Sequence, residues 1–164
     1  MTIFVKNKHT LKVDEFKFKC CIGKEGTTIN KKEGDKKTPR GVFEIENLYF
    51  RKDRIKKPIT SLKCTEIKKN MGWCDDIKFK EKYNKLIKVN KGTGHEKLQR
   101  KDYKYDLLIP IKYNFNKPVP GRGSCIFIHL TKNYKPTAGC IALKKKDFLI
   151  LLKIIQKNSK IRIF

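Results

Sequence analysis

This sequence predicts a mainly β domain of the α+β class, built as a β-sandwich or mixed sheets with one long helix. Three observations carry that prediction. Short apolar–polar alternations bounded by turn residues recur along most of the chain. Two buried-looking strands stand out, Tyr105 to Tyr113 and Cys125 to Leu130, separated by the Gly- and Pro-rich stretch 116–123. Only residues 145–157 place apolar side chains (Phe148, Leu149, Leu151, Leu152, Ile155) at helical spacing.

Taken in order, Thr2 to Val5 and Thr10 to Val13 read as an opening hairpin. Glu15 to Ile22 is a period-two strand with Phe16, Phe18, Cys20 and Ile22 on one face. Residues 23–37 are a polar loop, and a strand resumes at Gly41 to Ile45 after Thr38-Pro39. Ile59 to Thr65 is a further candidate strand. Residues 75–86 read as loop with at most a helical turn, and 94–98 as a short helix. The long helix follows the Cys140 loop directly, and Ile161 to Phe164 closes as a last strand.

A chain of 164 residues supports one domain, 1–164, with a real core. No repeat or linker divides it. The longest apolar run, Phe148 to Leu152, is far short of the roughly 20 residues a spanning helix needs. The first nine residues contain neither an apolar h-region nor a small-residue cleavage site, so no export signal is read there. A monomer is expected.

The net charge of +25 invites a nucleic-acid reading, but its distribution argues against one. Lysines are scattered through every segment, far outnumber arginines, and show no aromatic interleaving of an RNA-binding kind. A genome biased towards Lys, Ile and Asn gives the same composition. Non-specific affinity for anionic polymers is the partner class left by the charge; no specific nucleic acid is expected.

The six cysteines are isolated apart from Cys20-Cys21, and the three histidines lie far apart. Zinc sites need paired ligands, so neither a metal nor a disulfide framework is expected. Gly23 to Gly26 lacks the spacing of a phosphate loop.

One pairing carries chemistry. His129 ends an apolar strand, and Cys140 follows Gly139 at the entry to another apolar run. A thiol needs help to become a thiolate, and an imidazole supplies it, later returning the proton to a leaving amine. Gly139 lets backbone amides crowd the reacting carbon as an oxyanion site, and the helix N-terminus near Lys145 adds positive potential. The bland alternative is a buried small cysteine beside a strand-end histidine. Spacing alone does not separate the two.

The surrounding segments do. Residues 32–43 contain E-G-D-x-x-T-P-x-G-x-F; Gly72 to Asp76 reads G-W-C-D-D, with Tyr83-Asn84 downstream; Tyr105-Asp106 and Tyr113-Asn114 follow. Gly121 to His129 and Pro136 to Leu143, the latter with T-A-G-C, complete the series. In this order the segments resemble the L,D-transpeptidase catalytic domain family (YkuD-like), in a compact bacterial branch, along nearly the whole chain. The resemblance implies a Cys140 nucleophile and a His129 base acting on peptidoglycan stem peptides. It implies a thioester and no cofactor. It also implies a periplasmic or envelope location, in tension with the unread export signal, which leaves the cytoplasm open.

Two departures from the commoner family pattern stand out: Ala138 replaces a second histidine, and Ala142 stands where a polar residue is usual. His129 is then the sole base, oriented by a backbone carbonyl or by Ser124. Donor contacts pass to residues such as Arg122 or Tyr134, with Ser124 and Thr137 also candidates for the substrate site. Asp75 and Asp76 read either as ligands for substrate amino groups or as caps of a local turn. Trp73 reads as core or as a stacking wall, and His9 and His95 as solvated. The alternatives to transpeptidation are an L,D-carboxypeptidase or endopeptidase using the same thioester, and a non-catalytic basic module binding anionic polymer.

Overall fold

The computed structural model describes residues 1–89 and 91–164. The hairpin strands β1 (Thr2–Asn7) and β2 (Thr10–Val13) lead into β3 (Phe16–Cys21). Next come two two-residue strands, β4 (Thr27–Thr28) and β5 (Thr38–Pro39), then β6 (Gly41–Glu44), β7 (Leu48–Phe50), β8 (Cys64–Glu66) and β9 (Met71–Cys74). β10 (Leu86–Lys88), β11 (His95–Lys97), β12 (Leu107–Pro110), β13 (Phe127–Leu130) and β14 (Ile141–Leu143) precede the helix α1 (Lys145–Ile154) and the last strand β15 (Lys160–Ile163).

Ten of these strands form one curled mixed sheet in the order β6-β15-β1-β2-β3-β14-β13-β12-β7-β8. Period-two burial explains the outer half: Ile3 and Val5 of β1, Leu11 and Val13 of β2, and Ile161 and Ile163 of β15 all face inward. α1 lays Phe148, Leu151 and Leu152 onto that face, in one core with these residues. Each such side chain, fully buried, contributes about 1.5–3 kcal/mol. Asp147 in the first turn of α1 and Lys153 in the last suit the helix dipole.

A three-stranded sheet, β10-β9-β11, packs beside the main one. Its Trp73 joins Tyr49, Leu98, Tyr105, Leu108, Phe127 and Cys140 in a second, aromatic core. Trp73 is therefore core, 2% exposed, edge-on to Phe127 at 5.4 Å.

Several sequence expectations are corrected. Residues 94–98 are not helical: β11 pairs with β9, His95 opposite Cys74, and ladder bonds outweigh a weak local preference. His95 is half-buried rather than solvated, with Nδ1 donating to the Thr93 carbonyl at 2.7 Å and Nε2 buried with no partner among the described residues. Only Cys64 and Thr65 of the 59–65 stretch are strand, in β8, and Ile59 is exposed. Phe16 is also exposed, at the start of β3. α1 stops at Ile154 because Ile155 turns extended and Ser159 Oγ accepts the Gln156 N–H at 2.9 Å. The helix does not follow Cys140 directly, since β14 intervenes, so its N-terminus lies at the far end of that strand.

Candidate active site

β13 and β14 run parallel, with Ile128 opposite Ile141 and His129 opposite Ala142. Cys140, just ahead of β14, therefore lies beside Phe127, whose N–H donates to Cys140 Sγ at 3.4 Å. Residues two apart on a strand share a face, so Phe127 and His129 project to the same side as Cys140 and Ala142. His129, Cys140 and Ala142 all line one cavity of about 560 Å³. Ala142 is the immediate cross-strand neighbour of His129, so a larger polar residue there would crowd the imidazole.

The turn before Cys140 is tightly specified. Gly139 has φ +138°, and a Cβ there would lie 2.8 Å from the Lys37 carbonyl oxygen. Thr137 staples the same turn: its hydroxyl donates to the Cys140 carbonyl at 2.6 Å and accepts the Gly139 N–H at 3.1 Å. In the resting site the Gly139 amide is thus engaged rather than free for an oxyanion. Thr137 also bridges Gly23, tying the turn to β3.

On the other side, Cys125 sits at φ +55°, turning its carbonyl to accept the Cys140 thiol at 3.2 Å. A non-glycine residue holds that conformation only when its surroundings over-determine it. Asn84 does so. Its Oδ1 accepts both Cys125 N–H (3.1 Å) and Trp73 Nε1–H (2.9 Å), while its Nδ2 donates to the carbonyls of Tyr113 and Asn114. Glu33, on the loop between β4 and β5 (the flap), accepts from Ser124 Oγ at 2.7 Å and from the Tyr83 hydroxyl. Separate sequence segments thus converge on the peptide that faces the thiol.

His129 is 7% exposed, and its Nδ1 donates to the Leu130 carbonyl at 3.0 Å, leaving Nε2 as the basic nitrogen. Of the two orienting groups expected, the carbonyl is the one in place, because Ser124 is committed to Glu33. Burial pulls the His129 pKa down to about 4 and pushes the Cys140 thiol up to about 12. Both groups are therefore neutral at rest, not an ion pair. Burial, with Glu96 and Glu33 nearby, also raises the Asp75 carboxyl. The cavity wall carries both signs, with Asp75, Glu33 and Glu96 set against Lys31, Lys104 and Lys135.

The family model of the L,D-transpeptidase catalytic domain, YkuD, matches residues 1–163. The chain belongs to this family. No curated protein and no solved structure matches it. Within this YkuD domain the cavity gathers Cys140, His129, Gly139, Thr137, Ser124 and Asp75. Asp76 does not line it and acts as a turn cap, its Oδ1 accepting Lys78 N–H at 3.0 Å and its Oδ2 accepting Gly94 N–H at 3.3 Å. Arg122 borders a separate groove beside the flap, with Tyr113 and Gly121. Tyr134 stands outside the cavity, its ring flanked by the ammonium groups of Lys19 and Lys144. Trp73 does not line the cavity and belongs to the aromatic core.

Sequence reasoning missed Glu96, Arg100 and Lys104, all on the cavity wall, because isolated charges in a Lys-rich chain carry no local signal. Tyr105 and Asn84 were visible only as letters of matched segments. Among the described residues no group of three or more His, Cys, Asp or Glu is arranged to hold a metal ion. Among them, too, no helix is long and apolar enough to cross a membrane. All six cysteines are free thiols.

Proposed function

We propose that this YkuD domain carries out acyl transfer on peptidoglycan stem peptides through a thioester on Cys140, with His129 as the only acid–base group. The observation that carries the proposal is the shared face: the imidazole projects from β13 and the thiol from the turn just ahead of the parallel β14 into one cavity, with no hydrogen bond to Nε2 among the described residues.

The cycle follows from the protonation states. The neutral Cys140 thiol gives its proton to His129 Nε2 as sulfur bonds to the carbonyl carbon of the donor's L-centre–D-residue bond. Deprotonation in step with attack avoids a charge pair that burial disfavours. Amides of the turn carrying Gly139 and Cys140 face the developing oxyanion, the Gly139 N–H exchanging Thr137 Oγ1 for it. Collapse breaks the C–N bond, and the His129 proton passes to the departing amine of the terminal D-amino acid. The acceptor amine then attacks the thioester carbonyl, yields its proton to His129, and expels sulfur, which recovers that proton as the thiol.

The two-signed wall suits a peptide bearing both carboxylates and amino groups, with Asp75 and Ser124 on the side of the cavity near Glu33. Incubation with a disaccharide-tetrapeptide, with and without an acceptor stem peptide, tests the proposal by product mass. Cross-linked product with the acceptor, absent in Cys140→Ser, is the expected result. Release of the terminal D-amino acid without cross-linked product assigns hydrolysis instead. Equal turnover by Cys140→Ser overturns the cysteine route.

A further inference from the structure

His129 is short of polar restraint. Its one hydrogen bond is to the carbonyl of the next residue in its own strand, and no side-chain carboxylate or hydroxyl bonds it among the described residues. Nearby hydroxyls are committed elsewhere: Ser124 donates to Glu33, and Thr131 Oγ1 accepts the Tyr134 N–H at 3.0 Å. A single bond to a neighbouring carbonyl does not by itself fix the tilt of the ring.

The missing restraint comes from the chain entering β12. The Leu130 N–H donates to the Lys104 carbonyl at 2.9 Å, which draws residue 105 alongside the end of β13. The Tyr105 ring then meets the imidazole at 5.4 Å between centroids with an interplanar angle of 69°, and meets Phe127 edge-on at 5.8 Å. Tyr105 is 7% exposed and is itself held at two points, by Glu96 and by Arg100. Its hydroxyl donates to Glu96 Oε1 at 3.1 Å, Arg100 Nη1 donates to the same oxygen at 2.9 Å, and the Arg100 guanidinium lies 5.0 Å over the tyrosine ring. Arg100 is clamped in turn by Asp102 through Nε (2.9 Å) and Nη2 (2.8 Å), and its carbonyl accepts Arg51 Nη1–H at 2.7 Å.

We infer that Tyr105, locked by Glu96 and Arg100, is the positioning residue that sets the imidazole of His129 towards Cys140. This rests on His129 being the base proposed above. Tyr105 lines the same cavity as Cys140, and in this role it acts on the imidazole through its ring. An aromatic edge or face at van der Waals contact excludes water and blocks tilting, restraints that a lone carbonyl acceptor does not impose. Misplacing a base by about an ångström costs on the order of a hundredfold in rate. The other groups facing His129 are charged: Lys104 and Arg100 disfavour the imidazolium and Asp102 favours it.

Donor-tetrapeptide kinetics across pH, combined with ¹⁵N NMR of the His129 ring, test this in Tyr105→Leu and Tyr105→Phe. In Tyr105→Leu, kcat falls by about 30- to 100-fold with KM held within about twofold. Its imidazole shows both neutral tautomers, and its pKa moves from about 4 towards 6.5. Tyr105→Phe keeps the ring, so it retains the Nδ1–H tautomer and loses about threefold or less in kcat. Wild-type kcat together with an unchanged tautomer and pKa in Tyr105→Leu overturns the inference. Should that variant fail to fold, Tyr105→Met keeps much of the side-chain bulk but not the aromatic face and shifts the same readouts by a smaller factor, about fivefold in kcat; no movement there overturns it equally. The NMR arm needs no turnover. A wild type with no donor chemistry but a tautomer that scrambles in Tyr105→Leu therefore refutes the base role while sustaining the positioning one.

Discussion

Replacing His129 by Gln converts the burial of the imidazole into a measurable dependence of stability on pH. The imidazole is 7% exposed and its pKa is lowered from 6.5 to about 4, with burial the largest cause and Lys104 and Arg100 adding to it. A group whose folded pKa is depressed leaves stability intact above its unfolded value. That stability is lost as pH falls through the folded value. Near pH 7.5 neither state binds the proton. At pH 4 the unfolded chain is fully protonated at this site, whereas half of the folded molecules are still neutral. Linkage over this interval amounts to about 3 kcal/mol. Carboxylate titrations are common to both proteins and cancel in the comparison. Equilibrium urea titrations can be followed by the fluorescence of Trp73, the only tryptophan in the chain and 2% exposed. The wild type should lose about 3 kcal/mol more than His129→Gln between about pH 7.5 and pH 4. Equal losses in the two proteins would refute the neutral, buried base on which the mechanism depends.

Two further substitutions probe the scaffold of the site. Gly139→Ala forces a Cβ to 2.8 Å from the Lys37 carbonyl at a φ of +138°; it should lower the urea-derived stability by about 2–4 kcal/mol and remove donor turnover, and a wild-type midpoint would contradict the packing described. Asn84→Leu deletes the amide that joins Trp73, Cys125, Tyr113 and Asn114. Its expected cost is about 3 kcal/mol or more, since several buried partners are left unsatisfied, and a loss below about 1 kcal/mol would show that Cys125 holds its left-handed backbone without help.

Strands with strict alternation were legible because each side chain's face follows from period two: β2 coincides with the segment read from sequence, β1 runs two residues past Val5, and β15 starts one residue before Ile161. β7, β9 and β14 were not identified as strands. Leu48–Phe50 and Ile141–Leu143 are buried at every position, so they have no alternation to read, and Met71–Cys74 is hidden by its glycine and by its pairing with distant β10 and β11. His95 misled for the same reason, since only tertiary pairing fixes its place. At the site, Cys140 and His129 stood out by residue type and by the strings around them. Asn84, Glu33 and Tyr105 function through partners from 5 to 91 residues away, and no local pattern encodes such contacts. Arg122 and Tyr134 were offered as replacements for the polar residue whose place Ala142 takes. The turns at Gly121 and Gly123 and the loop after Leu130 carry them outside the main cavity.

The central claim is that Cys140 is the acylated atom. Intact-mass spectrometry and peptide mapping after exposure to a carbapenem, a strained acyl donor, test it most directly. The expected result is a single covalent adduct on Cys140, lost in Cys140→Ser and slowed in His129→Gln. Absence of any adduct between about pH 6 and 9, or an adduct mapped to another of the six cysteines, would contradict it.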